Sequence, residues 1–187
     1  CMGLILDKAI IFAVNAHRGQ FRKGSDTPYI LHPMEAAAIV GTMTADDEVL
    51  AAAVLHDTVE DTGTAIEQIR EQFGERVAVL VSAESENKRE DQPAASTWKI
   101  RKVETIEHLK SAPIEVKMLT LGDKLSNIRS MYRDHLCLGD KLWQRFNQKD
   151  KNEQLWYYKS IAECLSDLAE YPAYREYTAL VENVFAE

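Results

Sequence analysis

Val49-Leu50-Ala51-Ala52-Ala53-Val54-Leu55-His56-Asp57-Thr58-Val59-Glu60-Asp61-Thr62 joins an uncharged run to a cluster of polar, chemically able side chains. The first seven residues carry no charge and no helix breaker, so they read as a helix buried on most sides. Residues three and four apart on a helix share a face. A helix continuing through Asp61 therefore stacks His56, Asp57, Glu60 and Asp61 on neighbouring rows. Burying such a cluster without a counter-charge is costly, and a cation is the usual remedy. A solvated acidic helix end accounts for the same residues, and at this point both readings stand.

The rest of the chain is helical in pattern too. Apolar positions suit a helix over residues 4–18, stopped by Gly19, and a polar loop with Arg18, Arg22 and Lys23 near its start follows. Pro33 suits a first helical position, which places His32 at the mouth of a helix that ends at Gly41. Thr44 or Asp46 caps the central helix. Thr64 to Glu67 has capping-box spacing and opens a short helix ended by Gly74. A helix over Val77–Val81 follows, then a charged, aperiodic loop over residues 84–95. Thr97 caps a helix from Trp98 to Lys110, and Pro113 opens a longer one that contains Gly122-Asp123-Lys124-Leu125-Ser126-Asn127. Helices over 141–146 and 151–169 and a last one opened by Pro172 complete the chain. No alternating strand pattern occurs. The expected fold is all-α, about nine or ten helices in one domain over residues 4–187.

Composition narrows the function. At 187 residues and 45% hydrophobic content the chain can bury a sizeable core. Its net charge of −8 disfavours nucleic acid as a partner, and a small anionic substrate needs a local basic patch or a metal. No apolar stretch approaches the roughly 20 residues that span a bilayer, so no membrane is expected. Leu4-Ile5-Leu6 is too short for a signal-peptide core, and the expected compartment is the cytoplasm. Cys137 and Cys164 are widely spaced and read as reduced, incidental thiols, and Cys1, ahead of Met2, is set aside.

The metal-capable groups His32, His56, Asp57 and Asp123 come in the order H…HD…D from separate helices. Two imidazoles and two carboxylates can enclose one divalent cation and leave positions for water and substrate. Mixed nitrogen and oxygen ligation suits Mn²⁺, Fe²⁺ or Ni²⁺ better than zinc or Mg²⁺.

Four stretches carry a family resemblance: Ala16–Gly24 (AHRGQFRKG), Thr27–Pro33 (TPYILHP), Ala53–Thr62 (AVLHDTVEDT) and Leu121–Asn127 (LGDKLSN). Together they resemble the HD-domain phosphohydrolases, and more closely the RelA/SpoT hydrolase domain and the stand-alone small alarmone hydrolases, which include the metazoan SpoT homologue. The resemblance implies a Mn²⁺-dependent pyrophosphohydrolase. It would cleave guanosine 3′,5′-bis(diphosphate), (p)ppGpp, the nucleotide of the stringent response, to GDP or GTP and pyrophosphate by a metal-activated water. It assigns His32, His56, Asp57 and Asp123 to the metal, and Glu60 and Asp61 to the water. It assigns Arg22, Lys23 and Asn127 to the nucleotide, with Arg18 close by. Lys151, Lys99, Arg101 and Lys102 are further cations for the departing pyrophosphate, and Tyr157 or Tyr158 is a further candidate there. Gly122 departs from the family, where Ala is common, and no synthetase module follows, so a monofunctional hydrolase is expected. Three other readings remain open: an HD phosphatase of NADPH or a nucleoside monophosphate, a non-catalytic nucleotide sensor, and a plain helical interaction module. The oligomeric state is left open.

Overall fold

The structure, a computed structural model, describes residues 4–186. Cys1 lies outside the described residues. Ten α-helices follow in order among those residues: α1 (Leu4–Ala16), α2 (Leu31–Val40), α3 (Asp47–Leu55), α4 (Thr58–Asp61), α5 (Ile66–Phe73), α6 (Glu75–Glu84), α7 (Ala94–Lys110), α8 (Ile114–Leu138), α9 (Lys151–Cys164) and α10 (Pro172–Phe185). Short 3-10 turns occupy Gly139–Arg145 and Ser166–Leu168. No β-strand occurs among the described residues, and Phe21 and Pro28 form one isolated antiparallel bridge. The all-α expectation holds.

The described chain gathers into two compact units, one of residues 4–85 and 118–126, the other of residues 86–117 and 127–186. The uncharged run is the axis of the first. Val49 and Ala51 to Leu55 are all buried on α3, which packs against α1, α2 and α6. Ala9 and Ala13 are the buried residues of α1, and small side chains there let two helices approach closely. Asp46 caps α3, its Oδ1 accepting from the Glu48 and Val49 amides, while Thr44 Oγ1 accepts from the Asp46 amide. Arg76 of α6 donates to the same Asp46 carboxylate, at 3.0 and 2.7 Å.

Several boundaries differ from the pattern reading: α2 begins at Leu31 ahead of Pro33, residues 141–146 lie in a 3-10 turn and its end, and the helix expected over 151–169 ends at Cys164. The central helix does not run through Asp61: α3 ends at Leu55 and α4 starts at Thr58. The reason is local. His56 Nδ1 donates to the Ala53 carbonyl at 2.7 Å and Thr58 Oγ1 to the Leu55 carbonyl at 2.7 Å, so side chains take acceptors that a continuing helix would use. The expected capping box at Thr64 does not form: α5 starts after Ala65, which has no side-chain acceptor, and only Gln68 Oε1 reaches back, accepting from the Ala65 amide at 2.7 Å. Helix α7 begins at Ala94 behind Pro93, and Thr97 is buried inside it, accepting from Arg101 Nε at 3.2 Å.

The second unit is aromatic at its centre. Trp98 of α7 meets Tyr157 of α9 edge-on at 6.0 Å, Tyr158 stacks on Tyr177 of α10, and Trp143 stacks on Phe185 at 5.0 Å. Cys137 and Cys164 are free thiols. Among the described residues no helix is long and apolar enough to cross a membrane.

Candidate metal centre and active site

His32 lies in the first turn of α2, His56 and Asp57 form the break between α3 and α4, and Asp123 sits on α8. His56 Nε2 comes within 3.0 Å of Asp57 Oδ2 and 3.6 Å of Asp123 Oδ1, and His32 Nε2 within 3.4 and 3.0 Å of the same atoms. Ligand atoms around an ion with bonds of about 2.1 Å lie roughly 3.0–3.4 Å apart; His32, His56 and Asp57 form a group of that size, and Asp123 borders it, nearer to His32 than to His56.

The tautomers agree with that use. The Ala53 carbonyl only accepts, so His56 Nδ1 carries a proton, and Nε2 is the nitrogen that faces the cluster. That Nε2 is buried and has no hydrogen-bond partner. His32 Nδ1 meets Ser126 Oγ at 2.8 Å, and the Ser126 hydroxyl donates onward to Glu35 Oε1 at 2.7 Å. With its own proton committed to Glu35, Ser126 accepts from His32 Nδ1, which leaves the second Nε2 free as well. A carboxylate or carbonyl behind each ligating histidine is the usual outer shell of a metal site.

The electrostatics describe a place built for positive charge. Burial opposes charge on His56, but Asp57 and Asp123 outweigh it and hold the imidazole well above its ordinary pKa. Burial likewise works against the Asp57 carboxylate, yet the two imidazoles, His56 foremost, hold it well below the usual range. Asp123 is also held low against burial, by Lys124 first and then by the histidines. Lys124 Nζ donates to Asp123 Oδ2 at 2.7 Å, which leaves Oδ1 for the cluster. A cation would replace the protons that the cluster otherwise shares.

The Glu60-Asp61 pair lies on α4, immediately beyond His56 and Asp57. Asp61 is exposed and Glu60 partly so. Tyr29 ties this turn to the cluster, its hydroxyl 2.6 Å from Asp57 Oδ2 and 3.1 Å from Asp61 Oδ2. Burial, then the Asp57 and Asp61 charges, push the Tyr29 pKa far up, so the phenol keeps its proton and donates.

Arg22 and Lys23 belong to the loop that leads to Tyr29, and the Arg22 guanidinium lies 5.8 Å from the Tyr29 ring centre. Arg18 is exposed and donates to Asn15 Oδ1 at 3.0 Å. Asn127 lies one turn beyond Asp123 on α8. Lys151 starts α9, where its Nζ donates to the Ala186 carbonyl at 3.0 Å and faces Asp140 at 3.6 Å. The second basic group is engaged inside its own unit. Arg101 and Lys102 both pair with Glu86, while Lys99 pairs with Glu153 and caps the Trp156 ring at 3.4 Å. Tyr157 and Tyr158 are both buried.

Two residues escape sequence reasoning. Tyr29 sits in a recognisable motif, but nothing in its spacing foretells a hydroxyl between two carboxylates. Glu84 read as the first residue of a charged loop and instead ends α6, where its Oε1 accepts from Thr120 Oγ1 at 2.7 Å. Loss of hydration, with the Asp123 charge nearby, pushes its carboxyl up to about 7.

The family description "HD domain" matches residues 9–142. The chain belongs to the HD-domain family. Its HD pair is His56-Asp57, and the matched span contains all four cluster residues. A guanosine-3′,5′-bis(diphosphate) 3′-pyrophosphohydrolase of Danio rerio is 38% identical over 133 residues, 69% of this chain and 70% of that protein. A GTP pyrophosphokinase of Brucella melitensis is 33% identical over 127 residues, 68% of this chain but only 17% of that protein. The solved structure of a metazoan ortholog of SpoT that hydrolyses ppGpp superposes with a TM-score of 0.74 at 25% identity, covering 98% of this chain and 94% of that one. The HD domain and its His-His-Asp cluster together mark a divalent-metal site.

Proposed function

We propose that this HD domain, residues 4–187, is a cytoplasmic Mn²⁺-dependent (p)ppGpp 3′-pyrophosphohydrolase, releasing pyrophosphate and GDP or GTP. The observation that carries the reading is the His32–His56–Asp57–Asp123 cluster with two carboxylates, Glu60 and Asp61, on the adjoining turn. The names of the Danio rerio and metazoan relatives support the choice of substrate.

His32, His56, Asp57 and Asp123 would hold the cation. When bound, it polarises phosphoryl oxygens and lowers the pKa of a water to near neutrality. Glu60 and Asp61, solvent-accessible carboxylates one turn beyond His56 and Asp57, orient the attacking water and accept its proton. Arg22 and Lys23 meet the guanosine phosphates. Arg22 is the better suited to stack on the base as well, because its guanidinium is planar. Arg18 is a further nucleotide contact in this reading.

The test is a product-resolved assay on guanosine tetraphosphate with added Mn²⁺, pyrophosphate and orthophosphate being measured separately. Pyrophosphate and GDP in equal amounts are expected. Orthophosphate alone would point instead to an HD phosphatase of NADPH or a nucleoside monophosphate. Tight nucleotide binding without turnover would make the protein a sensor.

A further inference from the structure

The ten residues Gln20–Tyr29 form a strap that returns to its own start. The Arg22 amide donates to the Thr27 carbonyl at 2.8 Å and the Tyr29 amide to the Gln20 carbonyl at 2.9 Å, closing the Phe21–Pro28 bridge. Gly24, with φ of +73°, makes the turn at the tip. Both ends of the strap grip Asp61. Gln20 Nε2 donates to the Asp61 carbonyl at 2.8 Å, and the Tyr29 hydroxyl lies 3.1 Å from the Asp61 carboxylate. Gln20 is itself oriented, since its Oε1 lies 2.8 Å from Nδ1 of the buried His17, whose ring packs 5.0 Å from that of Tyr29. Asp61 needs such support. Helix α4 has four residues and stops at Thr62, too short to hold a carboxylate through its own ladder.

We propose that Tyr29 is a positioning residue whose hydroxyl sets the place of the water-orienting Asp61 against the metal ligand Asp57, with Gln20 fixing the backbone of the same turn. The assignment rests on the hydrolase reading for the role of Asp61, but its geometry does not. One phenol proton faces two carboxylates. The 2.6 Å contact commits it mainly to Asp57, and the 3.1 Å contact keeps Asp61 within reach of the same donor. The strap also carries Arg22, which lies against the Tyr29 ring, so nucleotide capture and carboxylate placement share one rigid segment.

The test is Tyr29→Phe, which keeps the ring and its packing on His17, beside Gln20→Leu, which removes the amide donor and touches neither carboxylate. Mn²⁺ affinity is measured by calorimetry, and kcat and KM at saturating Mn²⁺ in the pyrophosphate assay. Tyr29→Phe is expected to weaken Mn²⁺ binding about tenfold and lower kcat about 10–100-fold, with KM unchanged within about twofold, the usual scale for outer-shell partners. Gln20→Leu is expected to lower kcat while Mn²⁺ affinity stays at the wild-type value. Wild-type Mn²⁺ affinity in Tyr29→Phe would overturn the link to Asp57 whatever the substrate proves to be. Wild-type kcat in both variants would overturn the link to Asp61. A wild-type protein inactive on guanosine tetraphosphate would overturn the hydrolase reading alone, because the calorimetric comparison still decides the Tyr29 assignment.

Discussion

Gly122→Ala sets two magnitudes of opposite sign against each other. Ala gains about 1 kcal/mol over Gly in a helix interior. A methyl group at Gly122, however, would lie 2.6 Å from Val40 Cγ2 and 2.8 Å from the Ala36 carbonyl oxygen. Comfortable contacts between carbon atoms are about 3.5–4.0 Å. Val40 is buried and β-branched, so it has little rotamer freedom, and the Ala36 oxygen is backbone. Helix α8 must therefore move away from α2, and overpacking of this kind costs about 1–3 kcal/mol. The backbone contact places the cost toward the upper end, for a net loss of about 1–2 kcal/mol. For a chain of this size that lowers Tm by roughly 2–8 °C. The same motion reaches the metal centre, because His32 and Ala36 share a face of α2 while Asp123 and Ser126 flank the contact on α8, 3.0 and 2.8 Å from His32. Mn²⁺ affinity should fall about tenfold, the low end for a disturbed outer shell. Thermal melting of the metal-free protein and Mn²⁺ calorimetry read the two effects. Ala is common at this position in the family the sequence resembles, so the sign is informative. A raised Tm with wild-type Mn²⁺ affinity would refute the close-approach argument.

Three further outcomes are expected. Asp57→Ala should abolish Mn²⁺ binding in calorimetry, whereas Glu60→Ala should keep the metal and cut kcat by about 10²–10⁴-fold, the usual share of a general base; a wild-type rate in Glu60→Ala would remove its role. Asp46→Ala should cost about 1–2 kcal/mol in denaturant unfolding, because α3 loses its cap while the exposed pair with Arg76 adds little. Glu84, held near 7 against an unfolded value of 4.5, keeps in the folded state a proton that the unfolded chain has already lost. Its stabilising contribution is complete below pH 4.5 and is lost as pH rises through 7, so Glu84→Gln should gain up to about 3 kcal/mol over the wild type at pH 8 and nothing at pH 4. Parallel pH–stability curves of the two metal-free proteins would show that this carboxyl is ordinary.

The amino-acid sequence by itself determined that the chain is helical and that residues 49–55 lie inside, because uncharged helical runs have few other places to go. It also singled out His32, His56, Asp57 and Asp123 as one set, since imidazoles and carboxylates are the side chains that can bind a divalent ion. Helix periodicity misled where side chains compete with the backbone. His56 Nδ1 and Thr58 Oγ1 capture carbonyls where the expected continuous helix is interrupted. Only the tertiary structure brought Tyr29 onto Asp57 and Asp61, Ser126 and Glu35 behind His32, and Glu84 under Thr120. Those contacts join residues 28 to 94 positions apart in the chain. Local pattern carries no information about such pairs, because their meeting depends on how α2, α3 and α8 pack. The same holds for the basic residues near 100: composition marked them as cations, and the fold alone supplied Glu86 and Glu153 as their partners.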